Sequence, residues 1–340
     1  KYLNYLFKKM QREQGLLERD CDRMVRNDRV IWASCMVSCG DADGEDENTL
    51  KAAIAFKNSK LGIPILVGKE EKIKQQIKKI GYNDNFDIEI INSKDTSKRE
   101  RYVNFLFKKL QREQGFLEWD CDRLVRNDRV IWASCMVACG DADGAVTGNT
   151  RRFGASLEKI KQVVEARDGE IMFGLNLVVH KGKTIFVGDT SVHEYPTSEQ
   201  MADIAQSAAR VVRLFGFDPK VAFVSHSTFG QPLTSRTKHI KKAVEILKNK
   251  NVDFEFDGDM QPDVALNEEY KNLYPFSKIV GNANILIMPG QHSAAISYKM
   301  MKSLGDSKVI GPLLIGLGLP IEIAPLRSST SEIINLASIA

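Results

Sequence analysis

Short apolar runs, each closed by glycine or small polar residues and each followed by a helical period, constrain this chain more than any other feature. From Glu45 onward the pattern recurs. Residues 47–60 have helical periodicity, and "IPILVG" (residues 63–68) is an apolar run ended by glycine, the grammar of a strand feeding a loop and a helix. "KEEKIKQQIKKI" (residues 69–80) is amphipathic, "FDIEII" (residues 86–91) reads as a strand, and residues 100–139 carry long helical patterns with few breakers. "KTIFVGDT" (residues 183–190) is a strand ending in a polar turn. Residues 196–216 form a helix with Thr197 or Ser198 as its N-cap and Gly216 as its stop. Three later segments share one form: "KVAFVSHSTFG" (220–230), "VDFEFDGDMQPD" (252–263) and "NILIMPGQHS" (284–293). Each is an apolar run that ends in small and polar residues. In open α/β sheets the groups that touch ligands gather at the carboxyl ends of strands. These three ends, with Asp189, are the candidate wall of a site.

A repeat interrupts this regularity. Residues 1–44 and 101–144 differ at eight positions and agree at the other 36. Repeat architectures carry many diverged copies; two nearly identical copies 100 residues apart do not fit that description. Residues 1–44 are either a recent duplication or a copied string standing where the chain's own residues differ. The functional reading therefore rests on residues 42–340. A strand is expected in the five to ten residues ahead of Gly44, yet the copied string carries the helical pattern of residues 101–139.

Composition removes several classes. The 340 residues suffice for two ordinary domains, and a hydrophobic share of 43% suits a globular core. A net charge of +4, dispersed along amphipathic helices, is not the concentrated basic face of a nucleic-acid binder. No run approaches the ~18 apolar residues of a membrane span, and the start at Lys1 shows no signal-peptide pattern, so a fragment is expected. Cys21, Cys35, Cys39, Cys121, Cys135 and Cys139 lack second pairs or histidines at zinc spacing. The pairs Cys35/Cys39 and Cys135/Cys139, four apart in apolar runs, suit one face of a helix. Buried free thiols and a reducing cytoplasm are expected.

The motifs of common chemistries are missing. "GPLLIGLGLP" (residues 311–320) has Gly-x-Gly but neither the third glycine nor the helix start of a dinucleotide fingerprint. Asp141 and Asp143 in "GDADG" lack an EF-hand ligand ladder, so a turn or cap role is expected and no metal site. His226 lies between Ser225 and Ser227, but neighbours on a strand point to opposite faces and no G-x-S-x-G elbow exists, which argues against a nucleophilic hydrolase.

From Ala42 to Ala340 six ordered motifs carry a resemblance: "ADGEDENTLKAA", "MVACGDADGAVTG", "VAFVSHSTFGQP", "DFEFDGDMQPDVALN", "ANILIMPGQHSAAISYKM" and "VIGPLLIGLGLPIEI". Together they resemble the phosphate acetyltransferase family. "NTRRF", "DTSVHEYPT", "STFGQP" and the ending "EIINLASIA" lean toward the phosphotransacetylase-like C-terminal domain of multidomain bacterial NADP-dependent malic enzymes. The resemblance implies an α/β, two-lobed phosphate acetyltransferase or isocitrate dehydrogenase-like fold, with three-layer α/β/α lobes and an interdomain cleft. Residues 1–147 plus 309–340 would form the first lobe and 148–308 the second. It also implies acetyl-CoA or CoA as ligand, no covalently bound cofactor, and NADP and a divalent metal only in a separate catalytic domain in cis. A cytoplasmic homo-oligomer, a dimer or higher, would follow, with no nucleic acid or membrane partner.

The departures from the family matter as much as the matches. Active transacetylases carry a Ser-Arg-Gly turn followed by an Asp that acts as base. In "PLRSSTSEIIN" (residues 325–335) Pro325 and Leu326 stand where the Ser and Arg would be, and Glu332 takes the Asp position. Glu158 falls where a second family arginine lies. Arg151, Arg152 and Arg327 are within a few residues of the lost positions. From strand-end position and family pattern together, the ligand-binding candidates are Thr147, Arg151, Ser227, Thr228, Asp257, Gln261, His292, Ser293, Gly311 and Glu332. The resemblance implies an acetyl-CoA-sensing regulatory domain. An active phosphate acetyltransferase is the alternative, and a non-catalytic oligomerisation scaffold is a second.

Overall fold

The structure, a computed structural model, describes residues 34–39, 45–82, 87–94 and 96–340. They divide into two compact units: the stretch ending at Asp168 together with Leu317–Ala340, and Gly169–Gly316.

The first unit holds a five-stranded sheet. In chain order its elements are β1 (Ser34–Cys39), α1 (Glu47–Asn58), β2 (Gly62–Val67), α2 (Glu70–Lys79), β3 (Glu89–Ile91), α3 (Thr96–Gln114), α4 (Glu118–Asn127), α5 (Arg129–Ala138), β4 (Gly144–Gly148) and α6 (Phe153–Val163), joined later by β11 (Ile321–Ala324) and α12 (Thr330–Ala337). The sheet runs β11-β4-β1-β2-β3, every pair parallel. Parallel strands covered on both faces read as continuous apolar runs, and Pro64 to Val67 of β2 are accordingly buried. On α2 only Ile73 and Ile77 are buried, four apart on one face, while its lysines face water. Asp46 caps α1 through Oδ1, which accepts the Thr49 N–H at 3.0 Å.

The repeat yields a direct contrast. "SCMVSC" at 34–39 is β1, paired with β2 on one side and β4 on the other. "SCMVAC" at 134–139 completes α5 and its C-cap. The helix reading drawn from the spacing of Cys35 and Cys39 is thus corrected. A hexamer of middling propensity takes the structure its surroundings supply. A central slot with ladder partners on both sides makes it a strand. Behind the Asp128 cap, whose Oδ1 accepts the Val130 N–H at 2.9 Å, it is a buried helix. The rest of the first copy, residues 1–33 and 40–44, lies outside the described residues.

The second unit comprises β5 (Phe173–His180), β6 (Lys183–Gly188), α7 (Ser198–Leu214), β7 (Lys220–Val224), α8 (Ser235–Asn249), β8 (Glu255–Met260), α9 (Pro262–Leu266), α10 (Glu268–Lys271), β9 (Ile285–Ile287), α11 (Gln291–Leu304) and β10 (Lys308–Ile315). Its sheet runs β10-β5-β6-β9-β7-β8. The β10, β5 and β6 pairings are antiparallel and the remainder parallel. One face carries a core of Val187, Ala222, Val224, Leu286 and Met288 with Ala294 of α11. α7 buries Ala202, Ala205, Ala208 and Ala209, small side chains that let a helix lie close to its neighbours. Thr197 caps it in a reciprocal box with Gln200, and Gly216 ends it at φ +81°, as its sequence signals indicate.

Unit membership differs from the boundaries drawn at 147/148 and 308/309. β10 pairs with β5 on both sides of a register break between Ile310 and Leu313, so it belongs to the six-stranded sheet, and α6 packs on α5 within the five-stranded unit. Motif order marks strands but not the sheet to which each one hydrogen-bonds. Among the described residues no helix is long and apolar enough to cross a membrane.

Candidate ligand pocket at a strand switch point

β7 and β9 are parallel neighbours, with Val221 beside Ile285 and Phe223 beside Ile287. After β7 the chain leaves through α8 to β8 at one edge of the sheet; after β9 it leaves through α11 to β10 at the opposite edge. Adjacent strands whose connections part in this way open a crevice beyond their carboxyl ends. A cavity of about 440 Å³ lies there, within the usual range for a ligand site. Val224, Ser225 and His226 line it from the end of β7, and Met288, Pro289 and Gly290 from the end of β9. His292, Ser293 and Ser297 of α11, Arg236 and Ile240 of α8, Pro262 and Tyr195 complete it.

A buried polar layer supports this mouth. Ser227 is fully buried and its hydroxyl donates to Asp259 Oδ2. Thr228 Oγ1 accepts the Gln261 N–H at 3.2 Å, and Gln261 Nε2 donates to the His226 carbonyl at 3.0 Å. These bonds tie the end of β7 to the end of β8. Asp257 accepts the N–H groups of Gly258 at 2.9 Å and Lys278 at 2.8 Å. On the far side Asp189, 2% exposed, gathers the N–H groups of Gly174, Ser191, Val192 and His193 and the Nδ1–H of His193 at 2.8 Å. An ionised carboxylate only accepts, so the imidazole proton sits on Nδ1. That set of bonds fixes the loop that presents Tyr195.

The candidates therefore separate. His292 and Ser293 line the pocket, while Ser227, Thr228, Asp257 and Gln261 hold its strand ends in place. Gly311 is in β10 at φ +117°, at the break in register between Ile310 and Leu313, where an added Cβ would stand 2.8 Å from the Leu175 carbonyl oxygen; it allows the close backbone approach at that break. Thr147, Arg151 and Glu332 belong to the five-stranded unit. Thr147 is buried on β4, and Arg151 Nη1 pairs with Asp128 Oδ2 at 3.0 Å. Glu332 closes the cap of α12, its Oε2 accepting the Ser329 N–H at 2.8 Å.

Sequence reasoning missed Arg236 and Tyr195, though a signal exists for the first. α8 has no acid in its first turn and places Arg236 there, where the helix dipole disfavours a cation. Tyr195 lies in a loop whose aim depends on Asp189. Asp141, considered above for metal, accepts the Tyr102 hydroxyl at 2.6 Å and pairs with Arg101.

Two α/β units, one with a pocket at a strand switch point, define an α/β protein of two sheets. Residues 42–340 match the phosphate acetyl/butaryl transferase family, and the chain belongs to it. It is 42% identical to the NADP-dependent malic enzyme of Rhizobium meliloti over 300 residues, covering 88% of this chain but 39% of that protein. It is 32% identical to the phosphate acetyltransferase of Clostridium acetobutylicum, covering 88% of this chain and 91% of that one. The crystal structure of a phosphotransacetylase from Streptococcus pyogenes superposes with a TM-score of 0.83 at 27% identity, over 95% of this chain and 98% of that one. The chain thus spans about two fifths of the length of the malic enzyme relative.

Proposed function

We propose that this chain is the acetyl-CoA-binding regulatory part of an NADP-dependent malic enzyme, in which malate, NADP and a divalent metal are handled by a catalytic part in cis. What supports this reading is the departure of the sequence from the family's motif, placed by counting back without gaps from Asn335. Pro325 and Leu326 stand at the Ser-Arg positions, and Glu158, at the second arginine's position, lies exposed on α6. Acetyl phosphate and the transition state of its transfer are anionic, and fixed donors must meet that charge. Each donor lost costs on the order of 10²–10³ in rate. Glu332, at the position of the family base, is engaged by the Ser329 N–H and hydroxyl, at 2.8 and 3.0 Å. Of the arginines near the lost positions, Arg151 is held by Asp128.

Ligand binding that favours one arrangement of such a domain biases the attached catalytic part by a population shift. A homo-oligomer in a cytoplasmic setting is part of the same reading. The test is turnover of acetyl phosphate with CoA by this chain. Turnover at least four orders of magnitude below that of an active transacetylase is expected, and robust turnover would sink the regulatory reading in favour of an active transferase.

A further inference from the structure

We infer that the outward face of α11 pairs with α11 of a second copy of this chain, antiparallel and centred on Met300. α11 runs for 14 residues, yet Ala294 is its only buried residue. Tyr298 and Met301, four and seven positions further on, pack partly buried against the core of the six-stranded sheet. Ile296, Met300 and Leu304 form a second stripe in steps of four, turned about 120° from the first at about 100° per residue. These three residues are 58%, 54% and 82% exposed. Helices in proteins draw most of their stability from packing an apolar face. A helix with one stripe on its own sheet and a second in water is short of a partner.

Apolar exposure is concentrated on this side of the sheet. Of fifteen large apolar residues exposed among the described residues, seven lie between Tyr270 and Leu304. Leu273, Phe276 and Val280 belong to the segment that packs Tyr274 and Ile279 on the same core. Seven such residues, about half exposed or more, leave on the order of 800 Å² of surface, what one partner gives to a standard interface and more than a soluble monomer keeps open. Two features select a second copy as the occupant. The stripe is symmetric about Met300, so in an antiparallel pair Ile296 meets Leu304 of the second copy, Met300 meets its counterpart, and the contact closes on itself about a two-fold axis. Its borders are also uncharged. Ser293, Ser297 and Ser303 flank it, small enough for two helices to approach closely, whereas Lys299 and Lys302 point about 90° or more away and α11 contains no acid. A partner recognised by charge has nothing to read on this stripe.

The inference rests on the oligomeric part of the proposed reading and not on its ligand. Sedimentation equilibrium of the full chain and of its Met300→Glu and Leu214→Glu variants tests it. The parent should be a dimer. Met300→Glu, which sets two like charges at the two-fold axis, should weaken association at least about 100-fold while circular dichroism shows the fold retained. Leu214→Glu alters an exposed leucine of α7, a helix that takes no part in this core, and should leave the dimer intact. Added salt should not weaken the dimer, because no charge pair holds it. Oxidation of Met300→Cys should link two copies through residue 300, identified by peptide mass, whereas Leu304→Cys should not link to itself. A monomeric parent, a Met300→Glu dimer as tight as the parent, a Leu214→Glu effect as large, or a dimer that salt dissolves overturns the inference. A dimer without the residue-300 link overturns the antiparallel register. Titration with acetyl-CoA separates the two readings: a monomer that binds it sinks the interface alone, and a dimer of this form that does not bind it sinks the ligand reading alone.

Discussion

At Asp189 five donors converge on two carboxylate oxygens inside a site 2% exposed. Asp189→Asn replaces one acceptor by an NH₂ group that faces donors. It should destabilise the fold by about 2–4 kcal/mol, read from the urea midpoint, because buried charged hydrogen bonds are broken and not exchanged for water. Gly148→Ala should be no milder. At φ +98° an added Cβ would stand 2.2 Å from the Ala324 carbonyl oxygen, so β4 and β11 must part. Two carboxylates set the acid limit of the five-stranded unit. Burial pushes Glu45 up, but Arg129 at 3.0 Å and Lys72 at 3.2 Å outweigh it and hold its carboxyl below the ordinary 4.5. Burial likewise works against ionised Asp141, and the Tyr102 hydroxyl and Arg101 outweigh it, so it too lies below its ordinary 3.8. Depressed folded values stabilise fully above the unfolded values and are lost as pH falls through the folded ones. The urea midpoint should therefore decline below about pH 4.5, and Glu45→Gln with Asp141→Asn should flatten that decline. At this scale the sequence showed His292 and Ser293 as pocket residues but hid Arg236 and Tyr195, whose neighbours come from distant segments.

Among the elements, helix ends were the most legible, because a cap is a local interaction. Thr197 accepts the Gln200 N–H at 3.2 Å and Gln200 Oε1 accepts the Thr197 N–H at 2.8 Å, within four residues of sequence. Thr197→Ala should cost about 1 kcal/mol, seen as a lower thermal midpoint without change in the pocket. Strand ends were legible for the same reason: apolar runs stop at small polar residues. The strand expected five to ten residues ahead of Gly44 is β1, but the string itself did not announce it: "SCMVSC" and "SCMVAC" differ only at Ser38/Ala138, and the partners β2 and β4 that make the first a strand lie elsewhere in the chain. Of "FDIEII", the described residues 87–91 place Glu89–Ile91 in β3, an edge strand paired with β2 alone; Phe86 lies outside the described residues.

For the whole molecule, the α/β class followed from the alternation of runs, and the family from the order of six motifs. Sheet membership did not: β10 lies next to β5, an antiparallel partner more than 120 residues earlier, and no local pattern announces it. A match to two fifths of a malic enzyme's length, taken with the proposed replacement of the family cations, is the basis for reading this domain as a sensor. Titration of the chain with acetyl-CoA, followed by calorimetry, tests that claim most directly. The account predicts saturable heat and, at a hundredfold excess over Kd, about 2.7 kcal/mol of added stability. No heat and no thermal shift at millimolar acetyl-CoA would contradict it.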